Sequence, residues 1–346
     1  MPITLTSLRA IRDLPFDRVI DVRSPAEYAE DHIPGAINLP ALSNEERARV
    51  GTIYVQQDRF LARKVGAALV ARNVADHLEQ RLSEEDGGWR PLVYCWRGGQ
   101  RSGSFASILK QIGWRADTIE GGYRHYRQLV VKALYDDPLP VRLVIIDGGT
   151  GTAKTRLLHA LQTEGAQMID LEGLAAHRGS LFGPLLDQPQ PAQKGFESAL
   201  AMELVRMDPK RTVFIEAEST RIGSIILPPQ LAAAMRAAPR LRITAPMGAR
   251  VSHLVSEYAD LIAAPEALDK VLGQLVRYHG HARVADWRAL AASGDMAQLT
   301  RELIEQHYDP RYVKMPKGSE SNDLPLPDLT VETLTKAARR LIADYD

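Results

Sequence analysis

Cysteine is almost missing: Cys95 is the only one in 346 residues. That excludes an intramolecular disulfide and any cysteine-rich metal cluster. An excess of one charge is missing too. The 43 Lys and Arg residues balance 43 Asp and Glu, for a formal net charge of zero. Bulk charge therefore announces no nucleic-acid partner, and any phosphate-binding surface must be a local patch. No apolar run approaches the ~18 residues of a membrane span. The opening "MPITLTSLRAIRDLP" lacks the basic, then apolar, then small-residue order of a secretory leader. These absences lead us to expect a reducing, cytoplasmic setting and no membrane partner.

What is present is ordinary for a globular protein: 45% hydrophobic and 25% charged residues. The length exceeds what one core usually serves, so two domains are expected. Up to about Tyr135, short apolar runs such as "RVIDVR", "GAINLP" and "PLVYC" alternate with helical patterns, which argues for an α/β fold around a mostly parallel sheet. "DDPLP", Asp136 to Pro140, cannot continue a helix and reads as a linker. Beyond it "VRLVIIDGG", "AQMIDL", "TVFIEA" and "LRITAP" are strand-like and separated by helical stretches, so the second half is also α/β with a parallel sheet. "MPKGSESNDLPLPDLT" reads as a polar, proline-rich connector before the last helix, "VETLTKAARRLIADYD". The expected domains are 1–135 and 136–346.

The single thiol stands at the end of a buried strand, in "VYCWRGGQRSGS". A helical pattern starts immediately after this loop. Gly98 and Gly99 permit positive φ, so the N–H groups of Trp96 to Ser102 can curl around an anion above the sulfur. The helix dipole beyond adds positive potential at the same place. With Arg97 and Arg101 nearby, these effects should lower the thiol pKa and supply a nucleophilic thiolate.

A second anion site is written into "GGTGTAKT", Gly148 to Thr155, between a strand and the helical pattern "RLLHALQTEG". It follows the Walker A order at Gly148, Lys154 and Thr155 but has Ala153 in place of the last glycine. Ala fits there provided the position keeps negative φ. Glu216 ends the strand "TVFIE" and is placed like the acidic residue that supports metal or water beside a P-loop. Glu218, Ser219 and Arg221 follow at the sheet edge where ligands of such folds bind. His177 and Arg178, in "HRGSLFG", look like part of an anion-gripping loop. A mildly basic stretch runs from Arg236 through Arg240, Arg242, Arg250, Lys270, Arg277 and Arg283 to Arg288, with acidic residues mixed in.

The first part resembles the rhodanese family, through "DVRSPAEYAEDHIPGAINLP" and "YCWRGGQRS". Many single-domain rhodaneses place the loop arginine five positions after the cysteine, whereas Arg101 lies six after Cys95. That longer loop resembles those of the phosphatases sharing the fold, and makes a phosphatase or sulfurtransferase fused to a nucleotide-binding module the alternative. Taken in order, "YCWRGGQRSGS", "GGTGTAKT", "DLEGLAAHRGSLFG", "FIEAESTRIG" and "HYDPRY" resemble the successive motifs of the tRNA 2-selenouridine synthases.

That resemblance implies a transferase acting on tRNA with 2-thiouridine at the wobble position. It implies geranylation of the sulfur from geranyl diphosphate, then replacement of the sulfur by selenium from selenophosphate. Cys95 would be the nucleophile or selenium carrier, and Arg97 and Arg101 would neutralise the donor's phosphate. Gly148, Gly151, Lys154 and Thr155 would hold a diphosphate, with His177, Arg178, Glu216, Glu218, Ser219 and Arg221 in support. The basic stretch would meet anticodon-stem phosphates. No tightly bound cofactor and no dedicated metal site are expected, while Mg²⁺ accompanying the diphosphate and ATP as a P-loop ligand are left open.

Overall fold

The computed structural model of the protein describes residues 2–312 and 321–346. They form two compact units, 1–138 with 191–206 and 139–190 with 207–346. Both are α/β, and every pair within the two main sheets is parallel.

The first unit contains β1 (Arg18–Asp21), α1 (Pro25–Glu30), β2 (Ile37–Asn38), α2 (Asn44–Gln56), α3 (Arg59–Gln80), β3 (Pro91–Tyr94), α4 (Gln100–Ile112), β4 (Asp117–Thr118) and α5 (Gly122–Val131). Its strands are ordered β2-β1-β3-β4, with Ile20 of β1 level with Val93 of β3. Local chemistry sets the helix starts. Ser24 and Glu27 form a capping box with Pro25 in the first turn of α1, Ser43 and Glu46 repeat it at α2, and the Asp58 side chain accepts from Leu61 N–H at α3. Inward residues at helical spacing, Leu69, Val70, Val74, Phe105 and Leu109, close the core over Ile20, Val22 and Val93.

The second unit's strands are β5 (Arg142–Gly148), β6 (Gln167–Ile169), β7 (Thr212–Glu216), the short hairpin β8 (Arg221–Ile222) and β9 (Ile225–Ile226), β10 (Arg240–Thr244) and β11 (Ser321–Pro325). The main sheet is ordered β11-β10-β5-β7-β6. Leu143 to Ile146 of β5 are all buried, as a central parallel strand covered on both faces requires. Its helices are α6 (Lys154–Thr163), α7 (Leu171–Leu174), α9 (Pro229–Ala237), α10 (Met247–Glu257), α11 (Ala259–Ile262), α12 (Pro265–Gln274), α13 (Val276–Ser293), α14 (Met296–Leu303), α15 (Asp309–Tyr312) and α16 (Val331–Tyr345). α6 and α16 pack on the sheet through Leu157, Leu161, Leu334 and Leu341. Helices α11 to α14 build a separate small core around Trp287, Leu272 and Leu299.

Two features depart from the sequence reading. The chain leaves the second unit between β6 and β7, and α8 (Gln193–Arg206) packs in the first unit. There the Glu197 carboxylate takes Arg127 of α5 and the Tyr135 hydroxyl. The segment read as a proline-rich connector contains β11, which pairs along β10 with Leu324 opposite Ile243. Pro325 closes this edge strand, a position that needs no ladder donor on its outer side. The connector's residues 315–320 lie outside the described residues.

Candidate functional site

Cys95 follows β3 directly and is 4% exposed. Its Sγ lies 3.2 Å from the Ser102 hydroxyl in the first turn of α4. Gly98 sits at φ +66°, where a side chain would begin 2.5 Å from the Ile119 carbonyl oxygen. Behind the loop is Gly122, at φ +56°, where a side chain would begin 2.2 Å from the Cys95 carbonyl oxygen and 2.5 Å from the Gly98 nitrogen. This close approach lets the N–H groups of Tyr123 and Arg124 donate to the carbonyls of Cys95 and Trp96, both at 2.9 Å. The nest thus stands on the start of α5, a support that the sequence reading did not assign.

The "DVRSPAEYAEDH" stretch holds that support from beneath. The buried Arg23 guanidinium donates to Asp21 and to the Asp31 carbonyl and lies 3.8 Å over the Tyr123 ring. The Tyr123 hydroxyl donates to Asp31 at 2.7 Å. Burial pushes the Cys95 thiol pKa up. Hydrogen bonds from the Ser102 hydroxyl and backbone, the Arg101 charge and the Arg97 N–H outweigh it, leaving the pKa below the ordinary thiol value. The Arg97 side chain is exposed. Arg101 is held in an ion pair with Glu27 at 2.9 Å, and Glu27 also pairs with Arg47 at 2.9 Å. Arg101 therefore reaches the sulfur as a partly neutralised charge, unlike the free phosphate-gripping arginine of a phosphatase loop.

In the second unit Gly148 to Thr155 wraps from β5 into α6. Lys154 Nζ donates to the Gly148 carbonyl at 3.2 Å and the Thr152 hydroxyl to that of Gly149 at 2.9 Å. The expected negative φ at Ala153 is not found: φ is +61° and ψ +37°, left-handed, at the N-cap of α6. Ala thus occupies a glycine-type position at a cost of about 1–2 kcal/mol. Burial of its methyl group, worth about 0.8 kcal/mol, offsets part of that. The loop is braced from outside. Arg250 of α10 donates to the Thr150 carbonyl at 2.9 and 2.8 Å and pairs with Asp309 at 2.6 Å. The Tyr312 hydroxyl donates to Asp147 at 3.0 Å. "HYDPRY" is this brace.

Carboxylates converge beside the loop. Glu216 is fully buried, accepts from Glu172 N–H at 2.8 Å through Oε1, and has no partner for Oε2. Burial, then Asp170, pushes its pKa up to about 8. Glu172 and Glu218 meet over Gly179: a side chain there would begin 2.3 Å from one carboxylate oxygen and 2.7 Å from the other. Burial and the Glu218 charge hold the Glu172 pKa well above the carboxylate range, against the pull of Lys154. Glu172 lies in the motif "DLEGLAAHRGSLFG", but the sequence gave no signal to separate it from a helix-start acid.

The remaining expected residues are placed as follows. His177 is buried, its Nδ1 accepting from Gly179 N–H at 3.1 Å, and burial lowers its pKa. It shapes the turn. Arg178 lies 4.9 Å over the Tyr258 ring, pairs with Asp260 at 2.9 Å and leaves Nη1 buried without a partner. Ser219 and Arg221 bond within the β8–β9 turn and are exposed. In the basic stretch Arg240 pairs with Asp147, Arg250 with Asp309, Arg283 with Asp286 and Arg288 with Asp269. Much of its charge is balanced locally.

A family model for the tRNA 2-selenouridine synthase AAA domain matches residues 141–282, and one for a rhodanese-like domain matches residues 4–129. The chain is similar to the tRNA 2-selenouridine synthase of Bdellovibrio bacteriovorus, at 31% identity across 85% of this chain and 88% of that one. It is also similar to that of Salmonella paratyphi B, at 36% across 85% and 87%. The corresponding match to the Nitrosomonas europaea protein is 36% across 72% of this chain and 64% of that one, so the chain spans just under two thirds of that relative.

Proposed function

The chain belongs to the tRNA 2-selenouridine synthase family, and from that premise we propose that it is a transferase replacing sulfur by selenium in tRNA. The substrate is 2-thiouridine at the wobble position, unstacked in a single-stranded loop and open to capture in a pocket at modest cost. The thiocarbonyl sulfur attacks C1 of geranyl diphosphate. An S–C bond forms, the C–O bond breaks, diphosphate leaves with the electron pair and the base loses its N3 proton. Selenium from selenophosphate, carried on Cys95, then displaces the geranylated sulfur as a thiol.

The observation that carries this reading is the Cys95 nest, with the thiol buried beside Ser102 yet of lowered pKa, in a chain that separately holds a P-loop. Arg97, exposed at the mouth, and Arg101 would attract the anionic selenium donor. Gly148, Gly151, Lys154 and Thr155 would hold the diphosphate through backbone N–H groups, ammonium and hydroxyl. Mg²⁺ arriving with it would be held by the Thr155 hydroxyl and the unpartnered Glu216 Oε2, and would neutralise charge on the leaving group. Glu172 and Glu218 are the groups of this site able to accept a proton. Localisation in the cytoplasm, where tRNA is found, completes the reading.

The test is nucleoside mass spectrometry of 2-thiouridine-containing tRNA incubated with both donors, omitting each in turn. Cys95→Ala should abolish selenation and leave S-geranyl-2-thiouridine accumulating, whereas Lys154→Ala should suppress geranylation at least tenfold. Full selenation by Cys95→Ala would remove Cys95 from the carrier role.

A further inference from the structure

The helical part of the second unit does not close on itself. Between α10, α11, α12 and α14 lies a cavity of about 530 Å³, solvent at its mouth included, within the roughly 300–1,000 Å³ of small-ligand sites. Its wall is almost wholly apolar, with Phe182, Leu254, Leu268, Met296, Leu299 and Leu303 prominent. The two tyrosines that line it show their rings to it: Tyr258 spends its hydroxyl on Ser180 at 3.2 Å. Interiors are normally packed with few voids larger than a water, and apolar voids that do persist stay dry and take up hydrocarbon.

One end of this cavity is the P-loop itself. Thr150, whose carbonyl Arg250 holds, lines it. Leu254 forms the wall immediately beneath, since a side chain at Gly151 would begin 2.9 Å from its Cδ1. The loop 177–183 bounds both the polar and the apolar space: Gly179 lies where Glu172 and Glu218 meet, and Phe182 lines the cavity. A phosphate cradle opening sideways into a dry apolar chamber is matched by an amphiphile with a diphosphate head and a short hydrocarbon tail. A nucleotide offers no apolar tail to fill such a chamber.

We propose that this cavity is the tail subsite for the isoprenoid chain of the diphosphate donor, with Thr150 and Leu254 at its entrance and Thr300 and Met296 on its wall. It rests on the P-loop's being the diphosphate site. The tail's apolar surface leaves water only when the head is seated, so the cavity sets the preference for a prenylated over a bare diphosphate.

The experiment is calorimetric titration of the full chain with geranyl diphosphate and, separately, with inorganic diphosphate. The wild-type protein should bind the geranyl ester at least a hundredfold more tightly. Thr300→Phe, filling the chamber from α14, should cut that preference to threefold or less while leaving inorganic diphosphate affinity within twofold. Met296→Phe, one turn earlier, is the second variant should the first fail to fold, and is expected to act the same way. If inorganic diphosphate binds as tightly as the geranyl ester, or if both folded variants keep the full preference, the tail subsite is wrong. If neither ligand binds, or Lys154→Ala leaves both affinities unchanged, the diphosphate assignment fails, and the subsite falls with it.

Discussion

Glu216 shows what a single buried side chain does in this protein. Its carboxyl holds a proton to about pH 8, against 4.5 for the same group in the unfolded chain. Between those values the native state binds more protons than the unfolded one, so stability is fully present below about pH 4.5 and falls as pH rises towards 8. Glu216→Gln keeps an acceptor for Glu172 N–H and removes the ionisation. The variant should exceed wild type by roughly 2–4 kcal/mol at pH 7.5 and by nothing measurable at pH 4.5, since each pKa unit corresponds to about 1.4 kcal/mol. Urea unfolding at the two pH values checks this, and a constant difference between the proteins would show that Glu216 is not the titrating group. A residue kept at such a cost is better explained by a ligand charge than by stability.

At the scale of elements, the Cys95 loop depends on α5 as much as on its own glycines. Gly122→Ala would force a Cβ into the Cys95 carbonyl oxygen and the Gly98 nitrogen at positive φ. It should destabilise the first unit by about 3 kcal/mol, summing strain and overpacking, and raise the Cys95 pKa as the nest opens. Iodoacetamide labelling followed over pH reads the second effect, and an unshifted profile would separate α5 from the nest. This dependence also marks how far the sequence was legible. The strand, the glycines and the following helix around Cys95 lie within one stretch and could be read directly. Gly122 could not, because its requirement arises from tertiary contact with a loop distant along the chain. Glu172 was hidden for the same reason, becoming distinct only when β6 and β7 end side by side. The P-loop was legible from spacing, but the left-handed Ala153 was not, since Ala carries no signal for positive φ. β11 escaped because prolines that forbid a central strand are tolerated at a sheet edge. Ser219 and Arg221 illustrate the opposite error, polar residues beside a strand end whose bonds stay in their own turn.

On the scale of the whole molecule, the linker at Asp136 to Pro140 is a poor place to divide the chain. The strands and helices of the first unit end there, but α8 arrives from between β6 and β7 to pack with it. Without α8, Arg127 loses the carboxylate of Glu197, the Tyr135 hydroxyl loses its acceptor and Lys194 no longer meets Glu30. The helix also carries Phe196, Leu200 and Leu204, all buried. A fragment of residues 1–138 should therefore melt at least about 5 °C below the same unit carrying residues 191–206 on a flexible tether, since 1 kcal/mol moves the midpoint of a small domain by about 4–8 °C. Circular dichroism of the two fragments decides it. Equal midpoints would mean that α8 is an accessory and that the linker is the true boundary. A deficit would mean that the P-loop unit supplies part of the first unit's fold, so that substitutions in α8 reach the Cys95 chemistry without touching either anion site.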